Sequence, residues 1–185
     1  MNTLPDTAPN NGNFGNVVDQ YKGMTTEEIK NEIQKLTLPF APIMMQIHGD
    51  FNFSTLIRNG NAFGAQEIFY YGPRKKFDKR GAIGSYHYSD VIYLSSINQI
   101  IDLRSKYSHF IAMDIIPGVS TPLKEHKWEP NSLLFFGEEQ QGLQPEILEI
   151  CDKVVHIEQR GSVRSVNVGT ASGIAMHSIS MELSK

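Results

Sequence analysis

Three segments combine residue types and spacings that could serve chemistry. The first runs from Asn52 through Arg58 to Gly64 and follows an apolar stretch. That pattern predicts a strand turning into a helix, with Asn52 at the corner, Arg58 on the second helical turn and Gly64 as the terminator. The second, Gly137-Glu138-Glu139-Gln140-Gln141-Gly142-Leu143, follows the run Leu133–Phe136. Its two glycines let the backbone come close to a ligand. The third runs from Ile157 to Val168 as strand, loop and helix, and carries Arg160, Gly161, Arg164, Ser165, Val166 and Asn167. Taken singly, each also fits an ordinary connection between a strand and a helix.

Charge adds a fourth feature. Arg74, Lys75, Lys76, Lys79 and Arg80, set against Asp78, place +4 within seven residues. The whole chain carries −3, so the other 178 residues sum to −7. A basic segment on an acidic body can bind a polyanion that the average charge would repel; the plainer alternative is a solvated loop. Other chemistries lack their signatures. No G-x-G-x-x-G follows a strand run and no G-x-x-x-x-G-K-[ST] occurs, which removes the main support for dinucleotide and nucleoside triphosphate enzymes. His48, His87, His109, His126, His156 and His177 are scattered and lack cysteine partners, so no metal site is expected. There is no G-x-S-x-G, and Cys151 sits at an apolar helix end that favours a buried, inert thiol.

These segments need a scaffold, and 185 residues with 40% hydrophobic and 20% charged composition suffice for one domain with a full core. A single cysteine forbids an intrachain disulfide and suits a reducing compartment. No positive side chain precedes Lys22, so a signal-peptide pattern is lacking, and no apolar run approaches the ~18–20 residues of a membrane span. A soluble, cytoplasmic protein is expected. Residues 1–20 hold few large apolar groups and read as a disordered tail, 21–40 as a short helix and linker, and 41–185 as the main domain. Thr25 and Glu28 form a capping box ahead of Ile29, Ile33 and Leu36, which predicts a helix over residues 26–36 closed by Pro39. Apolar runs predict strands at Ile43–Ile47, Glu67–Tyr71, Val91–Leu94, Phe110–Ile115, Leu133–Phe136 and Val154–Ile157. Helices are predicted at Ser54–Phe63, Ile97–Tyr107, Pro145–Ile150 and Val166–Leu183. This alternation implies an α/β fold, a mainly parallel sheet with helices on both faces. Ligands bind such sheets beyond the carboxyl ends of the strands, where all three segments fall.

In this order and spacing the three segments resemble the motifs of the SpoU/TrmH branch of the SPOUT methyltransferases. Asn52, Arg58 and Gly64 match the first motif; Gly137, Glu139, Gly142 and Leu143 match the second; Ile157, Gly161, Ser165, Asn167 and Val168 match the third. Glu158, Gln159 and Val166 replace the proline, methionine and leucine of the third pattern. The similarity spans about residues 40–183. It implies a sheet whose C-terminal segment is threaded into a trefoil knot, an exception to the rule of unknotted chains. It also implies a homodimer with the active site near the subunit interface. The implied reaction transfers a methyl group from S-adenosylmethionine to a ribose 2′-hydroxyl in RNA.

Under that resemblance the cofactor is expected against Met113 or Asp114, the loop of Gly137 and Gly142, and Ile157 with Ser165 and Val166. A Cβ at Gly137 would obstruct its approach. Arg58 is the expected catalytic residue: as a base by the resemblance, or, since a guanidinium normally keeps its proton, as a holder of the adjacent phosphate and of developing alkoxide charge. Asn52 would position Arg58 or the ribose, and Glu139, Ser165 and Asn167 would organise the pocket. Arg74, Lys75, Lys76, Lys79 and Arg80 are expected on RNA phosphates, with Arg160 and Arg164 as further contacts. Transfer RNA is favoured over ribosomal RNA because the chain shows no large extra RNA-binding domain; DNA and membrane are not expected partners. Two other readings stay open: an RNA-binding member without activity, and an α/β enzyme of small molecules, which would leave segment 74–80 without a role.

Overall fold

A computed structural model of the protein describes residues 17–45, 50–73, 76–138 and 142–185. The polar segment 1–16 and the basic pair Arg74 and Lys75 lie outside the described residues, as does Glu139. Seven strands form one sheet: β1 (Phe40–Met45), β2 (Ile68–Tyr71), β3 (Val91–Leu94), β4 (His109–Met113), β5 (Thr121–Pro122), β6 (Ser132–Phe136) and β7 (Lys153–His156). Their order is β3-β2-β1-β6-β4-β7-β5, and every pairing is parallel. The helices are α1 (Thr26–Gln34), α2 (Asp50–Ala62), α3 (Ile97–Asp102), α4 (Pro145–Ile150) and α5 (Val168–Leu183). No described helix is long and apolar enough to cross a membrane.

The strands are apolar throughout because both sheet faces are covered. Phe40 and Met44 of β1, with Leu134 and Phe136 of β6, face one core shared with Phe53, Leu56 and Ile57 of α2 and Ala175, Met176 and Ile179 of α5. Ala41, Ile43, Met45, Leu133 and Phe135 face the other, which holds Ile100 of α3 and Ile147 of α4. Ends of elements differ from the sequence reading for local reasons. β1 begins at Phe40 and runs through Pro42, although proline adds no N–H to a ladder. α2 starts at Asp50, so Asn52 lies in its first turn and not at a corner, and Arg58 lies on the third turn. Gly64, at φ +76°, follows its end. β4 stops at Met113, where Asp114 turns its carboxylate back onto the N–H of Ile115 at 2.7 Å. α5 starts two residues later than expected because Asn167 caps it. The two-residue β5 carries no sequence signal.

At the amino-terminal side a 3-10 turn at Asp19–Tyr21 replaces part of the expected tail. α1 carries the expected capping box but ends at Gln34, well before Pro39. It is docked on the sheet domain through buried Ile29 and through an ion pair of Lys30 with Asp90. Burial pushes the Cys151 thiol up to about 12, so at neutral pH it carries almost no thiolate.

Asp152 ties the far end of the sheet together. Its Oδ2 accepts from the Phe110 N–H at 2.7 Å and from Arg104 Nη1 at 2.6 Å, while the Arg104 guanidinium lies over the Phe110 ring. Burial raises the Asp152 carboxyl, but the bonds from Arg104 and Phe110 outweigh it and hold the carboxyl below its ordinary value. A depressed native value stabilises the fold above the unfolded pKa of about 3.9 and ceases to do so as pH falls through the native value. Asp152→Asn should therefore lower Tm at pH 7, and its gap from wild type should close as melts are repeated below about pH 4.

Candidate functional site

All strands run the same way, so the connections after β1, β4, β6 and β7 gather at one edge of the sheet. A cavity of about 440 Å³ opens there. Its walls include Met113 and Asp114 after β4, Phe136 to Glu138 and Gly142 after β6, and Ser165 to Val168 with Ala171 at the start of α5.

A hydrogen bond joins the side that carries α2 to the cavity wall. Asn167 Nδ2 donates to Asn52 Oδ1 at 2.9 Å, linking residues 115 positions apart. Asn167 Oδ1 meanwhile accepts from Thr170 N at 3.2 Å, so one side chain both caps α5 and ties it to α2. Farther along, Asn59 Nδ2 donates to the Gly169 carbonyl at 2.9 Å and to Ser172 Oγ at 3.0 Å. A Cβ on Gly169 would meet Thr55 at 3.0 Å, and one on Gly173 would meet Asn59 at 3.1 Å. Small residues on α5 thus let the two helices pack closely. Asn59 was not anticipated as a site-forming residue. The signal available was the Gly169, Ser172, Gly173 face of the last helix, which reads as close helix packing.

The loop after β6 is closed on itself and pinned. Glu138 and Gly142 exchange backbone hydrogen bonds of 3.2 and 2.9 Å, and Leu143 N donates to Asp114 Oδ2 at 3.2 Å. Gly142 takes φ +66°, the left-handed region that glycine enters without strain. A Cβ on Gly137 would stand 2.3 Å from the Gly142 carbonyl carbon. The expected reason for Gly137 is therefore corrected: a side chain there collides with the loop's own backbone before it meets any ligand.

The structure brings together Met113, Asp114, Gly137, Gly142, Ser165, Val166 and Asn167 around the cavity, with Asn52 bonded to its wall. Ile157 is not part of that wall. The chain leaves β7 at His156 and is held toward β5, where Glu158 pairs with Lys124 at 3.6 Å. Arg58 is exposed on α2, has no hydrogen-bond or ion-pair partner among the described residues, and does not line the cavity. Arg160 and Arg164 are exposed on the loop after β7. No group of residues suited to a metal ion occurs among the described residues.

Residues 76–90 are folded firmly onto α2. Ser54 Oγ donates to the Asp78 carbonyl at 2.5 Å. Phe77 packs on Phe53, Tyr70 and Tyr86 with ring centroids 4.5, 5.4 and 5.8 Å apart, and Lys79 Nζ sits 3.9 Å from the Tyr86 ring centre. Arg80 pairs with Asp78, and its guanidinium holds that carboxyl below the usual range. The cations at 76–80 are thus displayed on a built surface.

The lining suits S-adenosylmethionine. Met113, Phe136, Val166, Val168 and Ala171 offer apolar surface for a purine face, and the volume falls in the range of small-molecule sites. Asp114 and Glu138 are carboxylates, and no cation stands among the described lining residues, which favours a ligand carrying sulfonium and ammonium charge. Gly137→Ala should pry residues 137–143 apart and free Leu143 from Asp114. Calorimetry should show S-adenosylmethionine binding weakened about tenfold or more, with native circular dichroism retained.

Comparisons agree with this geometry. The model of the SpoU rRNA Methylase family matches residues 39–177. A tRNA (guanosine(18)-2′-O)-methyltransferase of Aquifex aeolicus is 26% identical over 154 residues, covering 81% of this chain and 71% of the relative. Among solved structures, the A. aeolicus TrmH/SpoU tRNA modifying enzyme superposes with a TM-score of 0.74 at 21% identity, over 85% of this chain and 83% of that one. An AdoMet-bound rRNA methyltransferase from Sinorhizobium meliloti gives 0.72 at 21% identity, over 82% of this chain but only 60% of that one. At such identities the structural likeness establishes the fold; the family match spans most of the chain and carries the chemistry. The chain belongs to the SpoU rRNA methylase family and is an S-adenosylmethionine-dependent RNA 2′-O-methyltransferase.

Proposed function

We propose that the RNA methylated is tRNA, and that the enzyme acts as a homodimer with Arg58, Asn52, Glu139, Ser165 and Asn167 at its reaction centre. The observation that carries the site is the Asn52–Asn167 bond, which joins the helix bearing Arg58 to the wall of the cavity. The tRNA reading is supported by the extent of the superposition, 83% of the A. aeolicus tRNA modifying enzyme against 60% of the S. meliloti rRNA methyltransferase chain. Dimerisation is supported by Ile174, His177 and Met181, exposed at helical spacing on one face of α5. A trefoil knot is supported by the course of the chain. From β7, α5 returns past β4 and β6 to pack on α2, and Trp128, in the connection from β4 to β6, donates through Nε1 to Ser178 Oγ at 2.9 Å.

S-adenosylmethionine, held by Met113, Asp114, Gly137, Gly142, Ser165 and Val166, supplies an activated methyl group. What remains for the protein is to align the ribose oxygen and stabilise the charge left as its proton departs. Arg58 is exposed, with no partner among the described residues competing for its guanidinium, which suits a group that engages the phosphate and the developing alkoxide of the substrate. Asn52 serves through Asn167, by fixing α2 against the cavity. Lys75, Lys76, Lys79, Arg74 and Arg80 take phosphates beside the reacting nucleotide, with Arg160 and Arg164 adding charge from the loop after β7.

Arg58→Ala should keep the fold and cofactor affinity while single-turnover methylation of tRNA at saturating substrates falls by ~100-fold or more. Near-normal turnover would remove Arg58 from the reaction. Alanine at Lys75, Lys76 and Lys79 together should weaken RNA binding and flatten the dependence of log K on log salt by roughly 2 units. An unchanged slope would return this segment to a solvated surface.

A further inference from the structure

The first turn of α2 holds an aromatic residue that packing does not explain. Phe51 is 76% exposed, whereas Phe53, on the opposite side of the same turn, is fully buried among Tyr70 and Phe77. Phe51 adjoins Asn52, which is bonded to the cavity wall through Asn167. Phe51 also stands near the end of the basic segment: a Cβ placed on Gly81, the residue after Arg80, would lie 3.9 Å from Phe51 Cδ1. That segment is held in place by the Ser54–Asp78 bond and the Phe77 packing, so its backbone keeps a fixed relation to α2. The 3-10 turn Arg80–Ala82 ends in Ile83, 48% exposed at φ +45°, a left-handed conformation that β-branched residues rarely adopt.

An exposed ring near a basic segment anchored to the same helix, next to a residue bonded to the cavity wall, matches a nucleotide with its base on an aromatic face and its phosphates on Lys or Arg. We infer that Phe51 is the stacking surface for a nucleobase of the substrate RNA at or beside the methylated nucleotide, with the cations of segment 76–80 on the flanking phosphates. This rests on the RNA reading of the site above. Stacking is apolar and tolerant of base identity, so it contributes affinity without adding to the salt dependence that phosphate contacts create.

Binding of purified bulk tRNA, measured across a salt series with cofactor present, tests the inference. Phe51→Ala should weaken binding about tenfold with the salt slope unchanged. Phe51→Trp should restore affinity, and its indole emission should be quenched on adding tRNA. Wild type gives little such change, because its only tryptophan, Trp128, is 5% exposed. Affinity of Phe51→Ala within twofold of wild type, or Phe51→Trp emission unmoved by tRNA, would overturn the assignment. So would a change in the mass of Phe51→Ala by light scattering with RNA affinity retained, since Phe51 would then be a contact between copies of the chain. Should wild type bind S-adenosylmethionine but neither tRNA nor fragmented ribosomal RNA, the RNA reading itself fails, and Phe51 falls with it.

Discussion

The close packing of α2 on α5 is the constraint on which the site depends. Glycine at 169 and 173 lets Thr55 and Asn59 come close, since a Cβ there would meet them at 3.0 and 3.1 Å, and polar contacts cross the same seam. Asn59 reaches the Gly169 carbonyl and the Ser172 hydroxyl in the first turns of α5, and Asn52 meets the side chain that caps the helix. A larger residue on α5 would separate the helix carrying Arg58 from the wall formed by Ser165, Val166 and Asn167. The same face of α5 buries Ala175, Met176 and Ile179, so site geometry and core packing are set by a single crossing.

On the other side of the cavity, Asp114 plays a comparable part. One oxygen ends β4 by accepting from Ile115, and the other holds Leu143 at the end of the loop after β6. Two neighbouring strands therefore have their outgoing loops locked by one carboxylate, which fixes the cavity floor without a dedicated element. Gly137 and Gly142 serve this closure. Their value is in how tightly the loop folds, with cofactor access as a consequence.

The basic segment shows how a charge run can be more than a solvated loop. Five cations within seven residues repel one another, and a loop of that composition would ordinarily extend into solvent. Here Phe77 and Tyr86 anchor it to Phe53 and Tyr70, while Asp78 neutralises part of the charge through Arg80. Aromatic packing bears the cost of holding like charges on one surface, and that surface adjoins the first turn of α2.

The parallel α/β class was legible in the sequence because buried strands read as continuous apolar runs separated by helical patterns. The three site segments were legible because glycine spacing and strand–loop–helix order are local properties. Capping by Thr25 and Glu28 was legible for the same reason, and so was the inert environment of Cys151. What only the tertiary structure decided was partnership between distant residues. Nothing local in Asn52 indicates Asn167 as its partner, since that bond exists only once α5 has returned to α2. Nothing local in Gly137 distinguishes a collision with a ligand from one with Gly142. The start of α2 at Asp50 moved Asn52 off a corner and left Phe51 facing solvent, because tertiary packing of Phe53, Leu56 and Ile57 fixes which way the helix is rotated. Strand order is of the same kind: β6 enters between β1 and β4 because that slot buries both of its apolar faces, and no local pattern encodes which neighbours will bury them.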